Sequence, residues 1–551
     1  MSIYWKSKAL KSLVQGLQRG LYPIFGALGW FSPDSVGFQI VRRFKVVPYK
    51  AYRDAIKRGT RRYNACFAAQ GAKTKKALVF LLRGHWVGPT LMQYLVACAL
   101  KKLGYQVTLV TCGSDVERCG VNQIDNPLGS APLACGACEA ITHEIALSGF
   151  QTVKLGEFRD GLSTRQVERA FQTVDVVTQP QVQQIEHFLI RFFRGDTRRV
   201  NQEDKETALH LNAASRYIAR FDQLVQREQP DCICLFSGSL MPETLFLDRA
   251  KRRGIPALLT EAGCRHNTLF VSRDESANHY RSDQLWQTYL PRLTETEVES
   301  AKTFLSQRTQ GPEDPYGRTR NVIDRDVNKY AELARTPYVL FFAPLTHDLV
   351  SMGKRSNVGD VFACIRALCN QAQQYQTKLV IKSHPDERND INPTHFGVEA
   401  WMESEHLTPS EWVQILPPTD IWDPYQLASH AKTIVIYSGT LGLELAALDH
   451  HVFCLARLHY TDKGFTDDID TDIARIFLSE SKTRPPDAQT LALKYLYFYY
   501  FVSNIDIDCL LDEVAPKIHE VPADMVQNQQ AHMQAAHLQE RIAFLLDLKH
   551  L

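Results

Sequence analysis

The sequence predicts an α/β protein of two Rossmann-like domains that face a central cleft, with a helical insertion in the N-terminal half. Short, continuous apolar runs that suit buried parallel strands come in two series, one over 77–111 and 231–260, the other over 338–455. Within each series a run is followed by a stretch at helical spacing and then by another run, which is the βαβ pattern. A polar stretch holding Gly311-Pro312 and Asp314-Pro315 separates the two series.

The elements follow in order. Residues 1–62 carry thirteen Lys and Arg against Asp34 and Asp54, a balance of +11, which leaves −9 for the rest of a chain whose total is +2. The arm over 1–70 therefore reads as a basic amphipathic segment that meets an anionic surface, a membrane being the simplest. Its apolar stretch, Leu21 to Phe31, is interrupted by Pro23, Gly26 and Gly29 and is far short of the roughly 20 residues that span a bilayer. It also lacks the small-residue cleavage pattern of a secretory leader. A cytoplasmic protein, peripheral on the inner face of the cell membrane, is expected; packing of the arm on the protein body is the alternative.

The first domain, 71–310, opens with Ala77 to Leu82 as a strand, Thr90 to Leu103 as a helix stopped by Gly104, and Gln106 to Thr111 as the next strand. From about 161 to 227 helical periodicity with abundant Gln, Arg and Glu replaces the strand pattern, hence the insertion. Strands resume at Asp231 to Phe236 and Ile255 to Thr260, with a helix from Pro242 to Arg253 between them. After a linker at 311–336, the second domain, 337–490, has strands at Tyr338 to Ala343, Lys378 to Lys382, Thr433 to Tyr437 and His451 to Leu455, with a helix near Asp360 to Tyr375. C-terminal helices are expected over 491–551.

The thirteen cysteines are an odd number spread along the chain, several inside apolar runs such as Cys232-Ile233-Cys234, which fits a reducing compartment. Cys112, Cys119, Cys135 and Cys138 form one ordered group in a loop rich in Gly, Pro and Asn. Four thiolates that include a C-x2-C pair can close a tetrahedral structural zinc site; reduced free thiols are the other reading.

Ser438-Gly439-Thr440, between a strand and a helix, is the strongest chemical signal. A helix start presents backbone N–H groups with no partner inside the helix, glycine lets an anion approach, and two hydroxyls add donors, so the segment suits a phosphate. Simple capping of the helix by these residues is the competing explanation. Glu444 lies about one turn in, where a carboxylate can bind paired sugar hydroxyls. His384-Pro385 follows Lys378 to Lys382, which puts an imidazole at the carboxyl end of a strand, where doubly wound folds bind ligands. Asp348, after the first strand of the second domain, and Gly84-His85, after the first strand of the first, are further candidates for lining the cleft. The chain has no Walker-type loop, no G-x-G-x-x-G after its first strand and no basic-aromatic sheet motif, so nucleoside triphosphatase, nicotinamide and nucleic-acid-binding functions lack their signatures.

Three segments together, Lys378 to Pro385, Thr433 to Glu444 and Tyr460 to Thr466, resemble bacterial capsule and surface polysaccharide glycosyltransferases of the GT-B fold, the capsular Kdo-transferases among them, over roughly residues 77–465. The resemblance implies that His384, Ser438 and Thr440, with Gly439 in the same loop, contact the donor's phosphate or nucleotide and that Glu444 contacts donor hydroxyls. Glu261-Ala262-Gly263 looks like the acidic-Gly motif from which the family draws its general base, although Ala262 stands where a second acid is common. A strand-end salt bridge would also account for Glu261. No paired-Asp metal motif is evident, so transfer is expected to need no cofactor. The implied activity is inverting, metal-independent transfer of a sugar from a CMP- or UDP-linked donor to a surface or capsular polysaccharide or a glycolipid. Two other readings stay open: a nucleotide-sugar 2-epimerase of the same fold, and a non-catalytic glycan-assembly protein, for which Ala262 speaks.

Overall fold

The computed structural model describes residues 75–113, 149–158, 179–200, 205–310, 327–478, 485–511 and 524–547, less short stretches at 85, 266, 354–355, 389–393 and 408, with scattered positions between 138 and 146. The basic arm, His85, Cys119 and Cys135 lie outside these residues.

β1 (Lys75–Leu81), α1 (Val87–Lys102) and β2 (Tyr105–Thr111) form the first βαβ unit, with Val79 opposite Leu109 in parallel register. The unbroken apolar run of β1 is explained by cover on both faces. Ala77, Val79 and Leu81 pack in the core that holds α1, while Leu78 and Phe80 enter a second core with α2 (Gln179–Phe192) and α3 (Lys205–Glu228). The helical insertion is thus a full layer of the first domain. The sheet continues with β3 (Gln151–Lys154), β4 (Cys232–Phe236), then α4 (Glu243–Arg252), β5 (Ala257–Ala262) and β6 (Thr268–Arg273).

α5 (Asp283–Tyr289) and α6 (Glu295–Gln310) come before the polar linker, yet Trp286 and Phe304 share a core with Tyr338, Leu340 and Ile434 of the second sheet. The two cores therefore part near residue 280, upstream of 311–336. The second sheet comprises β7 (Tyr338–Phe342), β8 (Lys378–Lys382) after helix α7 (Val361–Gln374), β9 (Val413–Leu416), β10 (Thr433–Ile436) after α8 (Pro424–His430), and β11 (Val452–Cys454) after α9 (Leu441–Ala447), with β12 (Asp467–Asp468) at its edge. Its order is β12-β11-β10-β7-β8-β9, every pair parallel. Numbered from β7 this is 6-5-4-1-2-3, the doubly wound Rossmann order.

The C-terminal region is not helices alone. After α10 (Ala488–Tyr497) and one π turn, β13 (Asn504–Asp506) pairs antiparallel with β6, so the first sheet reads β13-β6-β5-β4-β1-β2-β3. α11 (Asp524–Asp547) then covers this sheet, with Leu538 and Ile542 in the core of α1. Arg541 holds the return in place by donating to the carbonyls of Ser503 (3.2 Å) and Val502 (2.8 Å). A three-residue strand is too short to leave a period in the sequence. Among the described residues no helix is long and apolar enough to cross a membrane.

Candidate functional site

Both sheets reverse their winding beside their first strand, between β1 and β4 and between β7 and β10. Doubly wound folds bind ligands at the carboxyl ends of the strands flanking such a point. The loops that follow those four strands are therefore the two walls of the candidate site.

In the first wall, β1 leads into Arg83, which is 2% exposed. Its guanidinium donates to both oxygens of Glu243, at 2.7 and 2.5 Å, and to the Met241 carbonyl at 3.0 Å. Gly84 is a candidate for lining the cleft, where a missing side chain would let an acceptor approach the backbone. Instead it admits Cys138, whose carbonyl oxygen would lie 2.6 Å from a Cβ at that position. β4 ends in Ser237-Gly238, both at positive φ (54° and 76°), and the buried Ser237 hydroxyl hydrogen-bonds Glu261.

Glu261 itself lies inside β5, opposite Phe270 of β6, because the strand runs to Ala262, two residues past the Thr260 end that the sequence predicts. It is half-buried, and one carboxylate oxygen accepts from the Ala262 N–H at 3.1 Å. Burial pushes its carboxyl above the ordinary range, the Ser237 and Ala262 hydrogen bonds and the Arg83 charge oppose that rise, and Asp348 of the other domain adds to it. The glycine of the motif has a packing cause: a Cβ on Gly263 would collide with Thr268 and Asn504.

In the second wall, the turn after β7 carries Asp348, whose carbonyl accepts from the Ser351 N–H at 2.8 Å. Its carboxylate faces Arg191 at the end of α2, 3.8 Å away. The Ser351 and Ser438 hydroxyls are 2.8 Å apart, which ties the turn to the loop after β10. Gly439 has φ +102°, and no atom lies within 4 Å of where its Cβ would stand. Thr440 precedes α9 without a side-chain capping bond, so capping does not consume its hydroxyl. Beneath the loop, fully buried Tyr460 donates to the Gly439 carbonyl at 3.1 Å, and this joins the Tyr460 to Thr466 segment to the Ser-Gly-Thr loop.

His384 follows β8, which is separated from β10 by β7. Two strand spacings put it roughly 10 Å along the same sheet end. Its Nδ1 accepts from the Asp386 N–H at 3.2 Å, so the neutral ring carries its proton on Nε2. Nearby, burial lowers the pKa of His347 to about 4, with the Arg191 charge next in effect.

Glu444, expected on donor hydroxyls, stands elsewhere. It is 1% exposed and accepts from Arg308 Nε (2.9 Å), the Tyr425 hydroxyl (2.5 Å) and the Tyr500 hydroxyl (2.9 Å). α9 is buried on all sides from Gly442 to Ala447, so its carboxylate is consumed inside the second core. Of the cysteine group, Cys112 and Cys138 fall among the described residues, and among the described residues no set of three or more His, Cys, Asp or Glu is placed to hold a metal ion.

The structure thus brings Glu261, Asp348 and Ser438 to facing strand ends and leaves Glu444 apart. Sequence reasoning missed Ser237, Ser351 and Arg191. A signal for the first was present: Phe236-Ser237-Gly238-Ser239 after β4 repeats the pattern of Tyr437-Ser438-Gly439-Thr440 after β10, at the fourth strand of each parallel series.

No protein-family model matches the sequence, and no curated protein matches it. Among solved structures the chain is similar to a β-Kdo 2,4-transferase, KpsC of Thermosulfurimonas dismutans, at 17% identity and TM-score 0.34, over 48% of this chain and 80% of that one. It is also similar to the UDP-GlcNAc 2-epimerase of Methanocaldococcus jannaschii, at 11% identity and TM-score 0.25, over 76% of this chain and 98% of that one. The strand order of its own two sheets makes the chain a protein of two Rossmann-like domains about a cleft, the arrangement of the GT-B fold.

Proposed function

We propose that the chain is an inverting glycosyltransferase that takes a sugar from a CMP- or UDP-linked donor. The observation that carries this reading is the facing of the two walls: a half-buried Glu261 on one, and on the other a Ser438-Gly439-Thr440 loop with open space above its glycine, joined to Asp348 through the Ser351–Ser438 hydroxyl contact. Glu261 takes the proton of an acceptor hydroxyl while that oxygen attacks the anomeric carbon. The bond from that carbon to the donor phosphate breaks on the opposite face, and the phosphate leaves with the electron pair. A carboxyl raised by burial suits this role, because a base works best when its pKa approaches the working pH. Ser438, Thr440, the backbone N–H groups of their loop and His384 hold the departing phosphate, so no metal is assigned to the step. A surface glycan or glycolipid acceptor, reached at the cytoplasmic face of the membrane through the basic arm, and a structural zinc on the four-cysteine loop belong to the same proposal.

The test is to incubate the full chain with a panel of CMP-, UDP- and GDP-sugars without acceptor. Slow release of free nucleotide supports transfer, appearance of the 2-epimer would replace it with the epimerase reading, and nucleotide binding without turnover of any donor would leave a non-catalytic protein.

A further inference from the structure

Among the described residues, Arg191 is a cation at the edge of the cleft whose guanidinium makes no hydrogen bond. It ends α2, the first helix of the insertion, and points across the domain boundary toward the turn after β7. Its ion-pair partner is Asp348, at 3.8 Å, which is beyond hydrogen-bond reach. Its Nε is shielded from solvent and makes no hydrogen bond, while the side chain as a whole stays 26% exposed. The contrast with Arg83 is direct, since that guanidinium is closed by three short bonds.

A partly buried guanidinium normally fills its planar fork with carboxylate or phosphate oxygens. Asp348 does not fill it: it is 41% exposed, and one of its oxygens already accepts from the Val350 N–H at 3.3 Å. The neighbouring turn also reaches Ser438, through Ser351. An anion that bridged Arg191 and the Ser438 loop would therefore lie between the two walls.

We infer that Arg191 binds an anionic group of the sugar substrate, a phosphate or a carboxylate, in the cleft between the insertion and the Ser438 loop, with Asp348 holding the guanidinium in place until the ligand arrives. The insertion then supplies a third wall of the site and selects substrates by charge. The identity of the substrate rests on the transferase reading; the existence of the anion site does not.

Calorimetric titration of the full chain with pyrophosphate and, separately, with glucuronate tests this, because the first stands for the donor phosphates and the second for a sugar acid. Arg191→Gln should weaken the affected ligand about tenfold or more, and Arg191→Lys should recover only part of it, since an ammonium cannot make the two parallel bonds. Asp348→Asn should tighten the same ligand, because the anion no longer competes with a fixed carboxylate. Loss confined to pyrophosphate assigns the site to the donor, and loss confined to glucuronate assigns it to a sugar carboxylate. The inference is overturned if the wild-type chain binds neither probe, if Arg191→Gln melts and binds like wild type, or if Asp348→Asn weakens binding as Arg191→Gln does, the mark of a structural latch. Should Arg191→Gln fail to fold, Arg191→Lys and Asp348→Asn decide alone. Glycosyl transfer enters none of these readouts, so a protein that binds pyrophosphate through Arg191 but transfers no sugar would sink the transferase reading and leave this one standing.

Discussion

The two domains share a winding order and a strand-Ser-Gly-hydroxyl turn at the same place in it, yet they use that place in opposite ways. In the first domain the switch point is filled by the protein's own charges, with Arg83 and Glu243 locked together at 2% and 1% exposure. In the second it is left open, with small hydroxyl residues and a glycine under empty space. A filled switch point cannot take a ligand's charge, but it can set the field around a neighbouring carboxyl. An open one can take a ligand but has little with which to move a proton. On the proposed reading the fold divides the labour: the first domain prepares a base and the second receives an anion.

That division can be broken or sharpened by substitution. Glu261→Gln should cost about 10²–10⁴-fold in kcat while donor Kd changes by less than about twofold; retained turnover would remove the base from the first wall and the division with it. Arg83→Met should lower the unfolding free energy by about 3–5 kcal/mol, because Glu243 is left buried without its partner. Ser438→Ala in the open wall should cost no more than about 1 kcal/mol; urea titration of both variants compares the two, and equal costs at the two sites would erase the contrast. Gly439→Ala should strain the loop by about 1–2 kcal/mol, since a side chain rarely adopts φ +102°, and should weaken donor binding several-fold by calorimetry. The smallest effect concerns communication between the walls. The charge of Asp348 disfavours ionised Glu261, so Asp348→Asn should lower the Glu261 pKa. Because the base must be ionised, the acid limb of kcat/KM should then move to lower pH; an unmoved limb would mean that the two carboxylates do not sense each other.

Much of the fold was legible because a strand covered on both faces must be apolar throughout. Lys378 to Lys382 is a strand with the bounds its composition predicts, and β1, β2, β4, β7, β10 and β11 fall within a few residues of theirs. What escaped depended on partners distant in sequence. β13 is three residues whose strand partner, β6, lies more than 230 positions earlier. α5 and α6 have polar faces that do not announce which core they join. In the site, strand ends were legible but side-chain directions were not. Glu444 reads as a ligand residue until α9 proves buried on every face, and Gly84 reads as an opening until Cys138 is found against it. Arg191 sits in a segment rich in arginine, and only the position of α2 against the turn after β7 separates it from its neighbours.

The return of the chain through β13 has a mechanical consequence. Among the described residues, two covalent crossings join the domains, one between β6 and α5 and one at Ser503. Bodies joined by a single tether can swing and twist about a point, whereas two tethers leave rotation about the line between them as the soft motion. The gap between Glu261 and the Ser438 loop is then governed by one angle, and the Arg541 bonds to the carbonyls of Val502 and Ser503 pin one of the two posts on which that angle turns.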